Sequence, residues 1–93
     1  MIELQHIFQS LADRNRLNLV LLLEQYENIS VGELAEAVSL SKPAVSQHMK
    51  KLELAGVVRR ERFGQRTCYQ LQREEPFIQD LLALISHVDV SYR

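Results

Sequence analysis

Residues 30–56, SVGELAEAVSLSKPAVSQHMKKLELAG, constrain the fold more than any other stretch of this chain. Ser30 and Glu33 form an S-x-x-E capping box, which predicts a helix start. Leu34, Ala37 and Val38 follow at i, i+3 and i+4 and make one buried face. Ser39-Leu40-Ser41 has room only for a turn. Ser41 or Lys42 then caps a second helix, and Pro43 fits its first turn, where a missing N–H costs nothing. Gly56 supplies the left-handed residue that a helix C-terminus often needs. Two helices joined by so tight a turn form a helix-turn-helix.

The second helix sorts itself by angle. At about 100° per residue, Val45, Met49 and Leu52 fall within about 60° of one another and face the core. Gln47 lies about 200° from Val45. Pro43 and Lys50 flank it on one side and Lys51 on the other. The outward face is therefore short and polar near the start and cationic near the end. A helix entering a DNA major groove needs hydrogen-bonding groups at base edges and positive charge near phosphates. The alternative is an amphipathic helix whose outer face is merely solvated.

Charge is segregated along the chain. Its 93 residues carry a net charge of only −1. Residues 39–73, however, hold eight Lys and Arg against Glu53 and Glu61, a net +6, while the remainder holds three against ten acids, a net −7. A basic half beside an acidic half is the footprint of a nucleic-acid binder. Apolar content of 46% and charged content of 25% are those of a single globular domain over residues 1–93. Cys68 is alone, so no intramolecular disulfide and no Cys-rich metal motif is available. No basic region followed by an apolar run opens the chain, and the run Leu19–Leu23 is far too short to span a bilayer. A cytoplasmic protein with no membrane partner is the expectation.

Before the helix-turn-helix, Ile2, Leu4, Ile7, Phe8 and Leu11 repeat at helical spacing. Asp13 is a good N-cap for a second helix running to about Gln25. That helix is apolar around more than one stripe and so central to the core. Tyr26-Glu27-Asn28-Ile29 reads as a connection into Ser30. After Gly56 the period changes. Val57–Phe63 and Arg66–Leu71 are extended runs around Gly64-Gln65, a β-hairpin with a basic tip. A hairpin in this place is a wing, with Arg62, Gln65 and Arg66 able to reach phosphates or a minor groove; a solubilising tip is the alternative. Glu74-Glu75-Pro76 opens a last helix. Phe77, Leu81, Leu84, Ile85 and Val88 make one stripe on it, and Ile78 and Leu82 widen that stripe. So broad an apolar surface predicts a second copy of the chain, with Ile7 and Phe8 of the first helix beside it.

The fold class is thus mainly α with a small β-hairpin, in the order α-α-α-α-β-β-α: a winged helix-turn-helix. The residues expected on DNA are Ser41, Lys42, Pro43, Ser46, Gln47, His48, Lys50 and Lys51 on the recognition helix, with Arg62, Gln65 and Arg66 on the wing.

Several segments together resemble the ArsR/SmtB family of winged-helix repressors. Ser10-Leu11-Ala12-Asp13-Arg14-Asn15-Arg16-Leu17 is similar to its "LadptRl" opening, and Ser30–Ala35 to its "vgeLa" segment. Leu40–Leu52 resembles its recognition-helix pattern "ls-x-x-x-vS-x-HL-x-x-L". Leu54-Ala55-Gly56-Val57-Val58 matches "eaGlv", and Tyr69-Gln70-Leu71 the wing's "Y-x-L". The resemblance implies a homodimeric, sequence-specific repressor that leaves double-stranded DNA when an inducer binds. Metal-sensing members carry a cysteine pair in the third helix, roughly "ELCVCDL". Here Glu33-Leu34-Ala35-Glu36-Ala37 stands in its place. The family's other site pairs Asp-x-His with a downstream His-x-x-acid on the last helix, and Asp80, His87 and Asp89 do not keep that spacing. Neither metal site carries over, no cofactor is implied, and the inducer stays open.

His6, His48 and His87 are too scattered for one site. No nucleophile–base pair, Gly-rich phosphate loop or metal triad points to an enzyme. A winged helix serving only protein–protein contact is a second class, as is a thiol- or metal-responsive repressor sensing through Cys68. Alternation in the return strand sets Tyr69 and Leu71 inward and Cys68 and Gln70 the other way. An exposed thiol among Arg62 and Arg66 would be a possible redox switch, though it has no resolving cysteine. A small half-buried strand residue is the plainer reading.

Overall fold

The computed structural model describes residues 3–86. In chain order the elements are α1 (Leu4–Leu11), α2 (Arg14–Gln25), β1 (Ile29–Ser30), α3 (Val31–Val38), α4 (Lys42–Leu54), β2 (Val58–Phe63), β3 (Arg66–Leu71) and α5 (Pro76–Ser86).

Local chemistry sets the helix ends. The Asp13 carboxylate accepts from the Arg16 N–H at 3.1 Å and caps α2. The capping box of α3 closes in both directions, Ser30 N–H to Glu33 at 2.9 Å and Glu33 N–H to Ser30 Oγ at 3.1 Å. For α4 the cap is Ser41, whose Oγ accepts from the Ala44 N–H at 3.2 Å, and Pro43 sits in the first turn. At the far end Gly56 adopts φ +82°. Val57 N–H then reaches Leu52 O at 2.9 Å and Gly56 N–H reaches Glu53 O at 3.0 Å, the paired bonds of a Schellman motif. The turn between α3 and α4 uses the same motif, with Leu40 N–H on Ala35 O at 3.0 Å and Ser39 N–H on Glu36 O at 3.4 Å. There the left-handed residue is Ser39, at φ +58°, where a glycine is usual.

Every residue of α2 from Asn18 to Leu23 is buried. The helix is surrounded, as its apolar breadth requires. Leu34 of α3, Val45, Met49 and Leu52 of α4, Val58 and Leu71 of the sheet and Ile78 of α5 complete the core. Burying one such side chain contributes about 1.5–3 kcal/mol. The angular sorting of α4 is thereby realised, its inward stripe fully inaccessible and its polar residues outward.

One expectation is corrected here. The segment read as a plain connection into Ser30 ends in a strand. Ile29 and Ser30 pair antiparallel with Tyr69 and Cys68, so the sheet has three strands in the order β1-β3-β2. Asn28, with φ +55°, turns the chain into that strand. Two residues carry no periodicity, which is why the strand leaves no sequence signal. In the hairpin, Gly64 takes φ +64° at the first loop position, as a two-residue turn of this hand demands.

Candidate nucleic-acid interface

On α4, Ser41, Lys42, Pro43, Ser46, Gln47, Lys50 and Lys51 are exposed. His48 is only half-buried and turned toward α2. Its Nδ1 lies 3.3 Å from Arg16 Nη1. A guanidinium only donates, so Nδ1 accepts and the proton of the neutral ring sits on Nε2. Arg16 also donates through Nε to the Ser10 carbonyl at 2.6 Å. One side chain therefore ties the end of α1, the start of α2 and the recognition helix together. The Asp13 carboxyl is held below its usual value, chiefly by the Arg16 backbone N–H, with the Arg16 charge adding to it.

The wing's two faces differ. Arg60 opposes Tyr69 and Arg62 opposes Thr67 across the hairpin, so these four share one face. That face looks toward α4, because Ser46, Lys50 and Glu53 bound the same cleft as Arg60, Thr67 and Tyr69. Burial pushes the Tyr69 phenol up from its ordinary value. The Arg60 charge opposes this, Glu53 adds to it and the facing Ser46 hydroxyl opposes it.

Arg66 lies on the other face and is engaged by Glu33 of α3. The Glu33 carboxyl is held below its usual value, first by the Ser30 backbone N–H, then by the Ser30 hydroxyl and Arg66. Arg62 and Arg66, grouped together in the sequence reading, thus diverge. Arg62 shares the face of the recognition helix, whereas Arg66 is already partnered. Gln65 is exposed at the tip.

Not all of the basic half is surface charge. Arg59 donates to Glu61 at 2.9 Å, to Gln70 at 2.8 Å and to Glu74 at 3.1 Å. Arg73 donates to the carbonyls of Leu23 and Glu24 at 2.9 and 3.0 Å and so caps the end of α2. Both are structural. The sequence reading missed Arg60, although alternation from the buried Val58 was signal enough to set it on the α4 side.

Of the two readings of Cys68, the exposed thiol does not hold, and the residue is buried more deeply than the half-buried one. Cys68 is 2% accessible. It does point away from the core cluster, but β1 runs alongside it on one flank, Glu61 stands opposite on the other, and Asn28, Phe63 and Arg66 gather over it.

The expected self-contact surface also divides. Ile7 and Ile78 are buried in the protomer's own core and are corrected out of that surface. Phe8 and Leu84 are each 58% exposed. Phe77, Leu81, Leu82 and Ile85 are half-buried against the core. Val88 lies outside the described residues. Leu4, not assigned to the surface, is 63% exposed one turn before Phe8.

A family model described as bacterial regulatory protein, arsR family, matches residues 13–60, from the cap of α2 into the wing. The chain belongs to the ArsR family. This is a family of regulators rather than enzymes. Over 70 residues the chain is 37% identical to the arsenic resistance transcriptional regulator ArsR1 of Pseudomonas putida, covering 75% of this chain and 55% of that one. It is 43% identical over 68 residues to the regulator KmtR of Mycobacterium tuberculosis, covering 73% and 52%. The chain spans about half the length of the curated relatives it matches. Among solved structures, Rv0081 of M. tuberculosis aligns with TM-score 0.74 and 34% identity over 86% of this chain and 78% of that one. A homodimeric winged helix-turn-helix DNA-binding domain, Mb0332 of Mycobacterium bovis, aligns with TM-score 0.77 and 26% identity over 88% and 73%. Among the described residues of this ArsR-family protein, no helix is long and apolar enough to cross a membrane.

Proposed function

We propose that this chain is a sequence-specific transcriptional repressor. It binds an inverted repeat in double-stranded DNA as a homodimer and leaves it when an inducer binds. The observation that carries the reading is the shared side of α4 and the wing. The exposed face of α4 presents Ser41, Lys42 and Gln47 beside Lys50 and Lys51, and Arg62 extends from the hairpin face turned toward the same helix. Gln47, with Lys42 and Ser41 near the helix start, reads base edges. Lys51, Arg62 and Gln65 hold phosphates, and the Nε2–H of His48 is left to do the same. The apolar surface of α1 and α5 brings two copies together; the similar M. bovis domain is itself homodimeric. Two-fold symmetry then sets the half-sites about one helical turn, or a multiple, apart. Residues 1–93 act as one domain, in the cytoplasm with the DNA.

Selection of bound sequences from random duplex DNA tests this. An inverted repeat bound with steep salt dependence is the expected outcome. Absence of salt-dependent binding to any duplex would leave the fold as a protein-contact module and overturn the reading.

A further inference from the structure

The cleft between the recognition helix and the wing holds about 370 Å³. That is room for on the order of ten waters, ample for a phosphodiester group. Its walls come from three elements: Val31 opens α3, Ser46 and Lys50 lie one turn apart on α4, and Arg60, Thr67 and Tyr69 come from the hairpin. Among the described residues neither Lys50 nor Arg60 has an ion-pair partner within 4.0 Å, although Glu53 lies in the same cleft. The neighbouring Arg59 is the opposite case, its guanidinium held by Glu61, Gln70 and Glu74 on the other face of the sheet. Alternation along β2 thus divides two adjacent arginines into one neutralised and one with a free charge.

Two free cations and three hydroxyls around a polar cleft match the chemistry of one phosphodiester. Its anionic oxygens accept from guanidinium and ammonium, and hydroxyl donors complete the shell. We propose that this cleft seats a single backbone phosphate of the bound DNA, with Arg60 and Lys50 as its charged contacts and Ser46, Thr67 and Tyr69 as hydroxyl donors. The proposal rests on the DNA-binding reading above. It sets Ser46, one of the residues expected on DNA, on the backbone rather than on a base edge, and it makes the phosphate a bridge between helix and wing. Glu53 opposes the phosphate and keeps the contact moderate. No base edge is read here, so the cleft contributes equally on every sequence.

The test is duplex titration over a range of salt, on the selected operator and on random DNA. Arg60→Gln should weaken both about tenfold or more and reduce the salt slope by about 0.9 per protomer. Arg60→Lys should keep the slope, and Glu53→Gln should tighten both duplexes several-fold. Arg59→Gln, which loses only internal bonds, should keep the slope while lowering the melting temperature. Circular dichroism confirms that each variant is folded. An unchanged slope for folded Arg60→Gln, with the wild type binding normally, overturns the phosphate site alone. A loss confined to the operator also overturns it, because it would mean base readout. A wild type without salt-dependent binding overturns the repressor reading and this site together.

Discussion

Arg16 on α2 donates through Nη1 to Nδ1 of His48 on α4, across 3.3 Å. The bond crosses from the first turn of one helix to the middle of the recognition helix. Arg16 is only 12% exposed, so its hydrogen bonds are sheltered from water. Arg16→Ala should destabilise the protein by about 1–3 kcal/mol, since it leaves the Ser10 carbonyl and the His48 ring short of a donor. It should also weaken operator binding several-fold through a looser α4. Urea unfolding beside duplex titration measures both, and unchanged values would show the contact to be idle.

The cap of α2 makes stability depend on acid. The folded Asp13 carboxyl lies below its ordinary value of 3.8, with the Arg16 backbone N–H as the main cause. A group with a depressed folded value contributes stability that is complete above the unfolded value and lost as pH falls through the folded one. Glu33 behaves in the same sense. Asp13→Asn should therefore flatten the loss of thermal stability below about pH 4. Asp13→Ala should cost about 1 kcal/mol at neutral pH. Melting curves from pH 2 to 7 decide the matter; an identical acid profile in Asp13→Asn would refute the assignment.

Ser39 holds a left-handed conformation in the turn that sets α3 against α4. A side chain there costs roughly 1 kcal/mol, and glycine removes most of it while loosening the unfolded chain. Ser39→Gly should raise stability by about 0.5 kcal/mol or more and leave DNA affinity unchanged. A lower urea midpoint would mean that the serine side chain has a role the turn geometry does not show.

Burial separates two kinds of apolar position on the terminal helices. Phe8→Glu or Leu84→Glu alters exposed residues and should give a folded monomer with weakened operator binding. Ile78→Ala strikes a fully buried residue and should cost about 2–5 kcal/mol of stability without targeting self-association. Sedimentation and thermal melting distinguish them. A stable wild-type monomer at micromolar concentration would remove the dimer surface.

Cys68 should react slowly with a thiol reagent in the native protein and quickly in urea, because it is 2% accessible and overlain by neighbouring side chains. Zinc, arsenite or mild oxidant should not release the protein from its operator through this residue. Titration of those agents into the protein–operator complex, wild type beside Cys68→Ala, is the check. Release of the wild type alone would make Cys68 the sensor after all.

The helices and the hairpin were legible in the sequence because their causes are local. Asp13, Ser30 and Ser41 act within three residues, Gly56 and Gly64 act on their own backbone, and the stripe of Val45, Met49 and Leu52 repeats inside one helix. Through these the sequence by itself determined the order of the helices and the hairpin and which side of α4 faces water. What only the tertiary structure decided involves partners distant in the chain. The strand at Ile29–Ser30 exists because β3, about forty residues on, offers an unpaired edge, and that pairing, with Asn28, Phe63 and Arg66 over the thiol, leaves Cys68 buried. Charge counting could not tell that Glu33 would engage Arg66, or that Glu61 and Glu74 would neutralise Arg59 and leave Arg60 free. A charge's effect depends on what lies within a few ångströms, and hydrogen-bonding and ionic partners so far apart in the chain leave no periodicity to read.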